Sequence, residues 1–259
     1  MNKFLISTVA MAIAMSSCTN QGTQTEEAPF EYGVDKFADI EVLRYRVPGF
    51  EDLSLKQKEL IYYLNEAALV GRDILWDQNC KYNLAIRKTL EGIYSNYQGD
   101  KNSSDYKGFE EYLKQVWFAN GIHHHYSMDK FVPNFSREFF EAQVKAVPAE
   151  QLPLANGQTV EQLIDELSPV IFDPAVMAKR VNQAAGVDLI KTSANNYYDG
   201  VNQKEVENFY AKMKVPGDTT PISYGLNSKL VKKDGKIYED VYKVGGLYSP
   251  AIEKIVYWL

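Results

Sequence analysis

Three consecutive histidines, His123, His124 and His125, are the only imidazoles in the 259-residue sequence and its first candidates for chemistry. Zinc asks for ligands that converge tetrahedrally, commonly two histidines one helical turn apart plus a third group. Adjacent side chains point in different directions, so a run of three does not build that geometry by itself, even with Asp129 as a partner. A Ser-His-Asp set is not visible either, because the one available base is this run. There is no Cys-x-x-Cys and no glycine-rich phosphate cradle. Carboxylate pairs such as Glu110/Glu111 and Glu138/Glu141 lie in helical sequence beside lysines and read as solvated surface. Cys80 stands among Asp77, Gln78, Asn79 and Lys81 with no catalytic partner near it in sequence. The residues therefore predict no catalytic group and no metal ligand in this chain, and a histidine loop that faces solvent or a ligand.

The elements that must position this loop are mostly helices. Ser54 and Gln57 form a capping box ahead of a stripe of Leu60, Leu64, Ala67, Ala68 and Leu75. Residues 82–97 carry Leu84, Ile86, Leu90, Ile93, Tyr94 and Tyr97 at helical spacing. Phe109, Tyr112, Leu113, Val116 and Trp117 follow the i, i+3, i+4, i+7, i+8 pattern up to Gly121. Ser136 caps a segment that Pro148 ends, and Thr159 with Gln162 caps Val160, Leu163, Ile164 and Leu167. Asp173-Pro174 predicts a further helix closed by Gly186. Asn202 with Glu205 caps Val206, Phe209, Tyr210 and Met213. Each of these stripes reads as core. Residues 221–247 read as strand around an Asp234-Gly235 hairpin, from Ile222, Tyr224, Leu226 and Leu230 to Tyr238, Val241, Tyr242 and Val244. Ser249-Pro250 opens a last helix bearing Ile252, Ile255, Val256 and Leu259, whose uncapped end reads as a cut. The expected fold class is α+β, mainly helical with a β-hairpin or small antiparallel sheet.

A composition of 45% hydrophobic and 24% charged residues suits a globular domain, and the formal charge of −6 argues against a nucleic-acid partner. Lys3, an apolar run over residues 4–15 and Met15-Ser16-Ser17-Cys18 read as a secretory signal. Cys18 in that position resembles a bacterial lipobox cysteine, lipidated as the first mature residue. The expected organisation is a lipoprotein signal over 1–18, a flexible tether over 19–35, and a domain over 36–259. The expected location is exported, periplasmic or membrane-anchored, with the lipid anchor as the only membrane contact. Cys80 is then the only remaining thiol, so no internal disulfide forms.

Two stretches resemble the dipeptidyl-peptidase III family. Ala119-Asn120-Gly121 through Lys130-Phe131-Val132-Pro133 is similar to a family segment Ala-Asn-x-Gly-Asn-Tyr-x-Ser-Phe-Gly-Asp-x-Lys-Phe-x-Pro. Tyr197-Tyr198-Asp199-Gly200, a helix, Leu226-Asn227-Ser228-Lys229-Leu230 and the Asp-Gly hairpin are similar in order to the family's lower lobe. The helical stretch from Leu60 to Leu90 also looks like a bacterial member. The resemblance implies the amino-terminal part of the lower lobe of a two-lobed zinc exopeptidase that releases dipeptides from the amino end of short peptides. In that family zinc is held by a His-Glu-x-x-Gly-His helix and a glutamate of a Glu-Glu-Cys-Arg motif. Neither occurs here, so the chain alone is expected to be inactive and to lack its upper lobe. Tyr126 matches the family's cleft aromatic and is the candidate substrate-binding residue, although its neighbours His123, His125, Ser127 and Met128 depart from the family pattern. The competing expectation is a non-catalytic cell-surface lipoprotein that binds a glycan or peptide.

Overall fold

The computed structural model describes residues 30–218 and 224–259. Cys18, the apolar leader, the tether up to residue 29 and the Ile222 end of the expected strand lie outside the described residues. The chain divides into two units, one ending at Tyr32 and a body from Gly33 to Leu259. In the first, the rings of Phe30 and Tyr32 meet edge to face at 4.9 Å.

The body opens with a hairpin of β1 (Gly33–Phe37) and β2 (Ile40–Leu43). Its first residues fall inside the expected tether, and Asp35 on β1 is ion-paired with Lys114 at 2.8 Å, which fixes it to the domain. Helices α1 (Leu55–Val70) and α2 (Arg72–Asn79) follow, split at Gly71. Next come α3 (Asn83–Asn96), α4 (Ser104–Ala119), α5 (Arg137–Ala146) and α6 (Val160–Phe172). A one-turn α7 (Leu189–Thr192), β3 (Tyr198–Asp199) and α8 (Gln203–Ala211) lead to β4 (Ser228–Lys233) and β5 (Lys236–Val241). Helix α9 (Ser249–Trp258) comes last. The fold is α+β and mainly helical. Among the described residues no helix is long and apolar enough to cross a membrane.

The core sits between α3, α4, α5 and α6. Ile86, Leu90, Ile93, Phe109, Leu113, Val116, Phe140, Leu167 and Ile171 are all buried there. Full burial of such a side chain is worth about 1.5–3 kcal/mol. Capping boxes at Ser54, Thr159 and Asn202 start α1, α6 and α8 as their sequences require. Helix α4 ends on Asn120, left-handed at φ 53°, with the Gly121 amide returning to the Val116 carbonyl. The hairpin turns at Asp234 (φ 51°) and Gly235 (φ 76°). The sheet it belongs to is mixed, because β3 joins β4 in parallel.

Three expectations need correction. The stripe of α1 is not core: only Ala67 is buried, while Leu60, Ile61, Tyr62, Tyr63 and Leu64 are exposed. Helix α1 packs on α9, with Trp258 6.2 Å from the rings of Tyr62 and Tyr63, and α9 buries no residue at all. The segment after Asp173-Pro174 is not a helix. Its backbone is paired with the histidine loop instead: Ala178 O accepts from Lys130 N, and Arg180 N donates to Met128 O. The leading strand begins only at Ser228, so Tyr224 and Leu226 precede it.

Candidate ligand-binding site

The loop carrying the histidines is held at both ends. At its start, Asn83 is fully buried; its Nδ2 donates to Trp76 O and its Oδ1 accepts from Ile122 N at 3.2 Å. Gly121 must be glycine, since its φ is 147° and a Cβ would stand 2.2 Å from Asn83 Nδ2. At the far end, Lys130 Nζ donates to the carbonyls of Val170 (2.9 Å), Val176 (2.7 Å) and Asp173. Two of these acceptors, Val170 and Asp173, belong to the last turn and C-cap of α6, where carbonyls lack helical partners. Phe131 N to Ile122 O at 2.9 Å and His124 N to Asp129 O at 2.8 Å close the loop across its neck.

The three imidazoles enter three different environments. His123 is buried, and its Nε2 donates to Met177 O at 2.7 Å, leaving Nδ1 unprotonated and without a hydrogen-bond partner. Burial pushes its pKa down to about 4. His124 Nδ1 accepts from the amides of Tyr126 and Ser127, both at 3.1 Å, so its Nε2 carries the proton and faces Asp39 Oδ2 at 3.3 Å. His125 packs edge on to Phe118 and against Tyr126, and burial holds its pKa below the ordinary histidine value. Asp129, the carboxylate nearest in sequence, is paired with Lys179 at 3.0 Å. Among the described residues no group of three or more His, Cys, Asp or Glu side chains could hold a metal ion. The set present does not fit a tetrahedral zinc.

Tyr126 stands at the loop tip, 82% exposed, a position a core aromatic never occupies. A cleft of about 400 Å³ opens between α2, the end of α4 and residues 180–197, and Tyr126 is not among its lining residues although its neighbour His125 is. Asn120 and His125 line it from one family-like stretch and Tyr197 from the other, with Arg180 and Asn195 between them. Sequence reasoning did not single out Arg180 or Asn195. Arg180 lies in the segment read as helix and Asn195 beyond its Gly186 end, and nothing in their spacing marks them.

A polar network braces the wall next to this cleft. Asp77 Oδ2 accepts from Tyr248 OH (2.5 Å) and Asn196 Nδ2 (2.9 Å), and Lys229 Nζ donates to Asn196 Oδ1 at 2.6 Å. Tyr248 reaches Asp77 from a left-handed backbone, φ 65°, at the start of α9. Burial and the Asp77 hydrogen bond both raise its pKa, so it remains a donor. Cys80, fully buried, has its thiol pushed up to about 11 by burial and is inert as a nucleophile.

A scan against protein-family models matches none, and a search of curated proteins returns no match. The family resemblance therefore rests on the residues quoted above.

Proposed function

We propose that this chain is the amino-terminal, lower-lobe portion of a dipeptidyl-peptidase III-like zinc exopeptidase acting on short peptides, exported as a lipoprotein anchored through Cys18. The observation that carries this reading is the meeting of its two family-like stretches. The stretches 119–133 and 197–241 are separated by more than sixty positions in sequence, yet Ala119, Asn120 and His125 of the first and Tyr197 of the second line one cleft. The apolar faces of α1 and α9 lend a second support, because a missing lobe would give them something to pack against. When bound in the missing part, zinc would activate a water and polarise the scissile carbonyl. The residues of this chain would contribute binding and orientation: an exposed Tyr126 against the peptide, and a loop made rigid by Asn83 and Lys130.

The test is the reading frame beyond codon 259. A His-Glu-x-x-Gly-His segment is expected there, and the extended protein should cleave dipeptidyl arylamides that the 259-residue chain leaves intact. A stop codon at that point would end the peptidase reading in favour of a ligand-binding lipoprotein. Robust turnover by the chain alone would show that its catalytic residues had been missed.

A further inference from the structure

The cleft beside the histidine loop has an unbalanced charge. Arg180 is the one charged residue among its described lining residues; the rest are neutral, with Leu75, Phe118, Val181 and Tyr197 as apolar and aromatic walls. The Arg180 Nε donates to Met128 Sδ at 3.1 Å, and its Nη2 makes only a long contact, 3.5 Å, to His125 O. Among the described residues no carboxylate lies within ion-pair distance of it; Asp129 is held by Lys179 and Asp39 by His124. A half-buried guanidinium is normally paired, and its planar fork of donors matches a carboxylate in particular. The other polar residues of the lining, Asn79, Asn120, Asn195 and His125, carry no formal charge to balance it. A volume of about 400 Å³ falls in the range of small-molecule sites.

We infer that this cleft binds a small carboxylate carrying an aromatic or branched apolar body, with Arg180 as its anion contact. A free N-acyl amino acid and the carboxyl end of a short peptide share that chemistry. The inference is independent of the peptidase reading, because a stop at codon 260 would remove that reading and leave carboxylate binding untouched.

The experiment uses the full 259-residue chain with three probes: N-acetyl-phenylalanine, its C-terminal amide, and the tripeptide Ala-Ala-Phe. Ligand-observed saturation-transfer NMR and calorimetric titration read the binding. At least one of the two acids is expected to bind about tenfold or more tightly than the amide, since the amide forfeits a charge-assisted pair. Binding by N-acetyl-phenylalanine alone assigns a free acid, and binding by Ala-Ala-Phe, alone or as well, assigns a peptide end. Arg180→Gln should bring the acid down to the level of the amide. Leu75→Trp, which keeps Arg180 and fills the cleft from an exposed position, should abolish binding, and it carries the test if the first variant fails to fold. Arg137→Gln, on α5 and paired with Glu141, should change nothing. Equal affinity for acid and amide, indifference to both cleft variants, or no binding of either acid up to about 10 mM overturns the inference.

Discussion

Replacing Lys130 with Met tests whether the histidine loop and α6 stabilise each other. In the native protein the Lys130 ammonium donates to three carbonyls, those of Val170, Asp173 and Val176. Hydrogen bonds to a charged group are worth about 1.5–3 kcal/mol each in net terms, and a cation near a helix C-terminus gains a further ~0.3–1 kcal/mol. Against this stands the desolvation of the ammonium, which lowers the pKa of Lys130. Methionine preserves the length of the stem and leaves the carbonyls without their donor. A net loss of about 3 kcal/mol follows if desolvation offsets roughly half of the hydrogen-bond gain. For a domain of this size each kcal/mol moves Tm by about 2–4 °C, so the variant should melt about 6–12 °C lower. Helix α6 carries Leu163, Leu167 and Ile171 in the core, so the loss should register in the global transition. Thermal and urea unfolding followed by circular dichroism measure it. A fall in Tm of less than about 2 °C, with an unchanged urea m-value, would refute the reasoning, because the three contacts would then be worth no more than solvation.

Other outcomes follow from the same structure. The unfolded histidine value of 6.5 exceeds the His123 value of about 4, so the unfolded state binds the extra proton and stability is lost as pH falls from 6.5 towards 4; the full loss is about 3 kcal/mol. His123→Gln should flatten that part of the stability–pH curve, and an unchanged slope would exclude His123 as its source. Gly108→Ala should lower Tm despite the ~1 kcal/mol advantage of alanine in helices, because a Cβ there would meet Asn134 O at 2.0 Å; a rise in Tm would show that the α4 contact relaxes freely. Cys80 should resist a thiol reagent in the native protein and react on denaturation, and prompt native labelling would contradict its burial. Leu60→Lys with Tyr257→Lys should change Tm little in thermal unfolding, since both positions are exposed, and a large fall would show that these side chains are packed.

The sequence carries the local structure well and the long-range structure poorly. Capping boxes at Ser54, Thr159 and Asn202 and the Asp234-Gly235 turn involve residues three or fewer positions apart, so their patterns can be read directly. The segment after Asp173 has a good helix start, yet it is claimed by Met128 and Lys130, more than forty residues earlier, which no local pattern encodes. The α1 stripe has helical spacing, and spacing alone does not say whether a partner exists to cover it. The first three residues of the hairpin at Gly33–Leu43 read as tether, because what fixes Asp35 is a lysine 79 positions on. Tyr126 is singled out by resemblance alone and lies outside the cleft lining, whereas Arg180 is conspicuous only once its missing counter-charge is seen in three dimensions.

The pairing of α1 with α9 also bears on how the molecule is made. Leu55–Val70 leaves the ribosome early, and its partner Ser249–Trp258 comes roughly 180 residues later, about 9–36 s at the usual speed of synthesis. Through that interval Leu60, Leu64 and their neighbours lack even the contact that Trp258 eventually gives. Such a long-range pairing is slow to close. Until then the apolar side chains of α1 stay open to water, so the contact between α1 and α9 should be among the last to form.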